Sequence, residues 1–186
     1  TSTGNGSLTS ALTKTSGVSY VGNGGVGANA NLFVRGLSSR YIATYVDGID
    51  VSDPSNTNVQ YDNFGGLLSS NTKRVELLKG SQSALRGSNA VAGVLTIDTL
   101  GMSDADNTSK QEIDISYGSK NTLSASYSYL NRINALTTSF SISHYETDGI
   151  SSASTLNTNH PTNEKNSQQD SFTQDRVAFG AEYKLN

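Results

Sequence analysis

The sequence predicts two parts of different build: an α+β unit of short strands and a short helix over roughly the first hundred residues, then antiparallel strands of the kind that cross a membrane as a β-barrel. Three observations predict this. Two apolar, β-rich runs, Leu32-Phe33-Val34-Arg35-Gly36 and Tyr41-Ile42-Ala43-Thr44-Tyr45-Val46-Asp47-Gly48-Ile49, each end in a charged residue followed by glycine, which reads as strand, tight turn, strand. Beyond the Ser/Asp/Asn-rich stretch 101–110 the hydrophobic period changes to two. No run of about 18 apolar residues occurs, which excludes helical membrane spans but not β-strands, whose signal is alternation.

The 186 residues carry a formal net charge of -3 and contain no basic tract, so nucleic acid is not an expected partner. Cysteine is absent, which removes disulfide frameworks, thiol catalysis and Cys-ligated zinc together. The two histidines, His144 and His160, stand in unrelated contexts and complete no Ser/His/Asp arrangement. Asp47, Asp50 and Asp53 form a carboxylate cluster, but their spacing lacks the glycine and terminal glutamate of a calcium-binding loop. The expectation is a protein that is not an enzyme and holds no cofactor or metal.

Residues 1–7 are small and polar and are expected to fray. Leu8 and Leu12 share one helical face, with Ser7 as N-cap and Gly17 as stop, so a short helix is predicted. Val18-Ser19-Tyr20-Val21 reads as a strand. The stretch 22–31 is too rich in Gly and Asn for regular structure and predicts a surface loop whose amides offer donors and acceptors to a polar ligand. It is no phosphate loop: it has no GK(S/T), no clean GxGxxG and no helix-forming segment behind it. Residues 51–60 carry the turn chemistry of a second exposed apex. In Arg74-Val75-Glu76-Leu77-Leu78, Val75 and Leu77 form an apolar face opposite Arg74, Glu76 and Leu78. Arg35, Arg74, Lys79 and Arg86 each lie at or near a strand end, placed to meet carboxylates in a confined space.

Arg35-Gly36, Val46-Asp47-Gly48-Ile49, Arg74-Val75-Glu76-Leu77-Leu78-Lys79-Gly80, Ser83-Ala84-Leu85-Arg86-Gly87 and Ala92-Gly93-Val94-Leu95-Thr96-Ile97 follow one another in an order that resembles the plug domain of TonB-dependent outer-membrane receptors. That family shows an "(I/V)RG" strand, a "(I/V)DG(V/I)" strand, an "RVEv(l)(R)GP" strand and an "S(A/V)xYG…GGxxNI" turn and strand. This chain departs from the pattern with Lys79 for Arg, Ser81 for Pro, Leu85-Arg86 for Leu/Val-Tyr, Ala92 for the first Gly and Thr96 for Asn. The resemblance implies a small mixed sheet with short helices, and an interlock between plug cations and carboxylates of the barrel wall. Arg35 matches the family's interlocking arginine, Lys79 lacks the planar fork of the second, and Arg74 and Arg86 are further candidates. Aligned with the vitamin B12 receptor branch, the substrate-facing apex positions fall on Asn29, Asn31, Ser38, Asn56 and Thr57.

In the second half Ile113, Ile115 and Tyr117 alternate with polar residues, as do Leu123, Ala125, Tyr127 and Tyr129, then Leu136, Thr138, Phe140 and Ile142, and finally Val177, Phe179, Ala181, Tyr183 and Leu185. Such segments match transmembrane β-strands with apolar residues outward and polar ones inward. Short turns at 118–121 and 131–134 and a long loop over 148–171 put the long loop on the extracellular side if the first strand rises from the periplasm. Tyr117, Tyr129, Tyr145 and Tyr183 suit an interfacial aromatic girdle.

The predicted division is therefore a plug at 1–108 and the first four barrel strands at 109–186. Closing a barrel around such a plug takes about 22 strands, so the resemblance implies a piece of a larger receptor in the Gram-negative outer membrane. It would be coupled to TonB through a segment upstream of Thr1. The implied function is energy-coupled uptake of a scarce, large solute, a siderophore or a cobalamin-like corrinoid, with outer-membrane lipid around the barrel. The competing expectation is a soluble extracellular β-rich binding or adhesion module, whose strands would share the same alternation.

Overall fold

The computed structural model describes residues 12–22, 24–28, 30–51, 72–101, 109–151 and 169–185. Three antiparallel strands come first, β1 (Val18–Gly22), β2 (Ala30–Val34) and β3 (Leu37–Ser38), in the order β1-β2-β3. A 3₁₀ turn at Ser39–Tyr41 leads to β4 (Ile42–Val46) and β5 (Ile49–Asp50). Next come β6 (Arg74–Lys79), a single helical turn α1 (Ser83–Arg86) and β7 (Gly93–Asp98). These later strands form a second sheet, ordered β5-β4-β7-β6, in which β4 and β7 run parallel and the other pairs antiparallel. The small mixed sheet implied by the resemblance is thus present.

Both charged-residue–glycine pairs close two-residue hairpins. Arg35 and Gly36 have φ of 51 and 81, and Asp47 and Gly48 have 50 and 83. Two successive positive φ values are what type I′ turns require, and their twist matches that of paired strands. Each apolar run pairs across its own turn, Val34 with Leu37 and Val46 with Ile49, so β2 and β4 belong to separate sheets. Asn31, expected in loop, is a β2 residue paired with Val21. The expected N-terminal helix lies mostly outside the described residues, but Leu12 is buried and Gly17 adopts φ 76 where the helix should stop.

The core lies between the two sheets. Leu12, Val18, Leu32, Val34, Ile42, Val46, Ala92, Leu95 and Ile97 form one cluster, edged by Val51, Val75 and Leu77. Ala43, Ala90 and Val94, with Tyr45, cover the opposite face. The parallel pair β4–β7 is therefore packed on both sides, which is why these strands read as near-continuous apolar runs. β6, at the edge, keeps the predicted alternation: Val75 and Leu77 face the core, and Arg74, Glu76 and Leu78 are exposed.

The remaining chain is one antiparallel sheet, β8 (Lys110–Gly118), β9 (Thr122–Ile133), β10 (Leu136–Ile150) and β11 (Asp170–Tyr183), ordered β11-β10-β9-β8. Among the described residues β8 and β11 are each paired on one side only. The strands outrun the alternating segments because polar residues continue the ladder at both ends. The long connection is correspondingly shorter than 148–171. Register sorts the faces. Ile113 lies opposite Tyr127, Tyr127 opposite Ile142, and Ile142 opposite Val177. On this face Ile113, Ile115, Tyr117, Ile142, Val177, Phe179 and Tyr183 are exposed. The other face, with Ser124, Thr137, Ser139 and Thr147 buried, lies against the N-terminal unit. The apolar band runs diagonally, from Ile113–Tyr117 on β8 to Val177–Tyr183 on β11, as strands tilted in a barrel wall require. Tyr145 corrects one expectation: it sits on the polar, inner register and is 8% exposed, so it cannot belong to an outward aromatic girdle.

Candidate functional site

A strap that leaves β7, residues 99–101, lies against the C-terminal sheet and helps hold the two parts of the chain together. Its backbone has no strand partner, so its N–H groups need other acceptors. Asp98 Oδ1 accepts from the Leu100 N–H at 3.0 Å and the Gly101 N–H at 2.7 Å. Asp47, held in the left-handed region by its hairpin turn, accepts from the Thr99 N–H at 2.7 Å and the Thr99 hydroxyl at 2.6 Å. Two carboxylates thus cap three successive amides. Thr99 itself is 3% exposed.

The C-terminal sheet grips the same strap from its inner face. Ser139 Oγ on β10 donates to the Leu100 carbonyl at 2.7 Å, and Arg176 Nη2 on β11 reaches Thr99 Oγ1 at 3.4 Å. Lys73, just before β6, forms an ion pair with Glu112 on β8. Three strands of the C-terminal sheet therefore each contribute one polar anchor. Beside them, a cleft of about 850 Å³ opens between the Asp47–Ile49 turn, Arg74 and Glu76 on one side and residues 177–182 of β11 on the other.

The Lys73–Glu112 pair is partly wet, with side chains 25% and 55% exposed. Such a pair contributes about 0.5–1 kcal/mol. Lys73→Glu should accordingly weaken docking modestly. Adding Glu112→Lys should restore it in a double-mutant cycle whose coupling shrinks at high salt.

Within the described residues the four cations singled out from sequence make the following contacts. Arg74 forms an ion pair with Glu76 on its own strand. Lys79 Nζ donates to the Ser16 carbonyl at 2.7 Å. The Arg86 guanidinium lies over the Tyr45 ring, 5.0 Å from its centroid. Arg35 is exposed in its turn, with its backbone N–H donating to the Gly17 carbonyl at 2.7 Å. Of the apex residues, Asn31 and Ser38 share one face of the small sheet, because Ser38 pairs with Phe33 and Asn31 lies two residues along the same strand. They are half-buried, on the side away from Leu32 and Val34. Asn29, Asn56 and Thr57 lie outside the described residues.

Lys73, Asp47, Thr99, Glu112, Ser139 and Arg176 were not read as contacts from the sequence. A signal existed for Arg176: it is a charge on the inward register of an alternating strand, between Gln174 and Ala178 and opposite Ser143. Nothing local marked Thr99.

Comparison with known proteins agrees with this architecture. The family described as TonB-dependent Receptor Plug Domain matches residues 1–94. The chain is 35% identical over 97 residues to the vitamin B12 transporter BtuB of Vibrio cholerae serotype O1, a match covering 52% of this chain and 15% of that protein. It is similar in structure to the iron transporter FrpB of Neisseria meningitidis, with a TM-score of 0.58 and 17% identity over 76% of this chain and 21% of that one. It is similar also to the pyoverdine outer membrane receptor FpvA of Pseudomonas aeruginosa PAO1, with a TM-score of 0.57 and 17% identity over 75% of this chain and 20% of that one. The match thus spans about a seventh of the length of the curated relative and about a fifth of each structural neighbour. With half of its residues matched by the plug model, the chain belongs to the TonB-dependent receptor family.

Proposed function

We propose that the chain is the plug, at 1–108, and the first four barrel strands, at 109–186, of an outer-membrane receptor that imports a scarce, large solute by TonB-driven displacement of the plug. The solute class is a corrinoid or a ferric siderophore. One observation carries this reading: the C-terminal sheet turns its polar face to the protein and its apolar face outward. In water, burial of apolar surface would favour the reverse. In lipid, the outward band of Ile113, Ile115, Val177 and Phe179 meets hydrocarbon while Ser, Thr, Glu112 and Arg176 meet the plug. A soluble adhesion module would leave that band in water as an aggregation surface.

In this reading Asn31 and Ser38, together with Asn29, Asn56 and Thr57, face the solute at the plug apices. Lys73, Ser139, Arg176 and Asp47 hold the plug strap to the wall. Arg35, Arg74, Lys79 and Arg86 interlock with carboxylates of wall strands beyond residue 186. The contacts are hydrogen bonds and ion pairs of modest individual worth, so a pulling partner can break them one after another. No covalent step is needed.

The test is uptake. Cells producing the whole receptor should accumulate labelled cyanocobalamin or a ferric siderophore only with TonB present and the proton gradient intact. The protein should fractionate with the outer membrane and need detergent for release. Release into buffer without detergent would sink the proposal.

A further inference from the structure

The glycine-rich stretch between β1 and β2 meets the C-terminal sheet at the end opposite the strap. Gly27 has φ +86, and a Cβ placed on it would overlap the Phe172 ring, so that ring packs directly on bare backbone. Gly25 stands close to Ile150, whose Cγ1 would lie 3.4 Å from a Cβ there. Phe172 is itself backed by Tyr145, with ring centroids 6.1 Å apart and planes tilted by 55°. Tyr145 is almost fully buried on the inner register of β10.

This corner of the sheet is braced. The Asp148 N–H donates to the Lys120 carbonyl at 2.9 Å, Asn121 Nδ2 donates to Asp148 Oδ2 at 2.6 Å, and the Thr122 and Thr147 hydroxyls lie 2.8 Å apart. The β10–β11 register shifts between Thr147 and Ile150, where Gly149 has φ +73. That bulge bends the strand end and turns Ile150 toward Gly25. A rigid wall corner with two aromatic rings thus meets a loop that has shed its side chains at the points of contact. The Ala28 N–H donates to the Gly25 carbonyl at 3.2 Å, folding the loop into a turn against the ring.

We propose that Phe172, backed by Tyr145, is a positioning residue: a wall seat that fixes the β1–β2 loop, and through it the entry into β2 and Asn31, relative to the incoming solute. Its bearing on transport rests on the receptor reading; the seat itself does not. The seat lowers the ordering cost that a solute would otherwise meet on binding a loose apex. Removing it changes how well solute binds, not how fast a loaded receptor transports.

The experiment uses the whole receptor in detergent and in cells, with Phe172→Ala, Phe172→Tyr and Gly27→Ala. Hydrogen exchange at residues 24–28 should rise at least tenfold in Phe172→Ala and in Gly27→Ala, with Val94–Ile97 unchanged, and stay near wild type in Phe172→Tyr. Labelled cyanocobalamin, a ferric hydroxamate and a ferric catecholate are the uptake probes. For the one transported, half-saturation should rise about tenfold in Phe172→Ala at unchanged maximal rate. Unchanged exchange at 24–28 in both Phe172→Ala and Gly27→Ala would overturn the seat whatever the uptake result. Raised exchange with unchanged half-saturation would overturn its positioning role. If wild type carries none of the probes, the receptor reading fails and the exchange arm alone decides the seat.

Discussion

Replacing Gly93 by Ala is expected to destabilise the plug sheet by about 3 kcal/mol, at the upper end of what overpacking costs. Gly93 opens β7, a strand with partners on both sides, pairing with Ile42 of β4 and Lys79 of β6. A Cβ there would overlap the Leu78 carbonyl oxygen, an atom of backbone that cannot swing aside as a side chain would. Relief requires parting β6 from β7. β6 carries Val75 and Leu77 over the core cluster, so parting the strands also uncovers apolar surface. In the whole receptor, amide exchange across Val94–Ile97 should quicken about a hundredfold, since each tenfold change corresponds to about 1.4 kcal/mol. Gly36→Ala is the contrast. That glycine has φ 81 but nothing within 4 Å of a Cβ, so only the left-handed backbone penalty of about 1 kcal/mol applies. Equal effects of the two substitutions would show that close approach at Gly93 is not what matters.

Local chemistry made some of this architecture readable in advance. The Arg35-Gly36 and Asp47-Gly48 turns were visible because glycine supplies the second left-handed position of each, and Asp47 tolerates the first of its own. The outward band was visible because each strand carries its own alternation. Pairing was not. β4 joins β7 in parallel across some fifty residues of chain, and no local signal states that partner. The site was harder still. For Arg74 the sequence suggested a barrel-wall carboxylate; the ion pair within this chain is with Glu76, two positions along the same strand face. Arg86 finds Tyr45 and Lys79 finds a carbonyl, both fixed only when the sheet is assembled. The Tyr145 position could have been read: its odd number puts it with Thr137 and Ser139 on the inward register, and aromatic character alone suggested the girdle.

Among the described residues, the strap from Asp98 to Gly101 meets the C-terminal sheet through hydrogen bonds rather than ion pairs. Under the proposed function, a plug that stays seated at rest and leaves under load would need contacts that are specific but individually breakable. Ser139 to a carbonyl, Arg176 to a hydroxyl and a partly wet Lys73–Glu112 pair have that character. A buried ion pair would hold more tightly once formed, but breaking it would strand a charge at a cost of about 3–5 kcal/mol.

Asp47→Ala is expected to loosen the strap more than substitution of Ser139 or Arg176. It removes the acceptor of the Thr99 amide, a donor on a residue 3% exposed, and of the Thr99 hydroxyl in the same step. An orphaned buried donor costs about 1–3 kcal/mol. Ala also tolerates the positive φ of this turn position less well than Asp, adding about 1 kcal/mol. The combined loss of roughly 2–4 kcal/mol falls on the strap, because Thr99 is also the residue Arg176 reaches. Asp47→Asn should cost much less, since its carbonyl can still accept from the amide while its NH₂ turns to the hydroxyl oxygen. Thr99→Val keeps the amide bond and loses only the hydroxyl contacts, so it should fall between the two. Amide exchange at Thr99 in the whole receptor checks the order. If Asp47→Asn proves as damaging as Asp47→Ala, the negative charge facing Arg176 matters more than the cap, and the strap is held electrostatically.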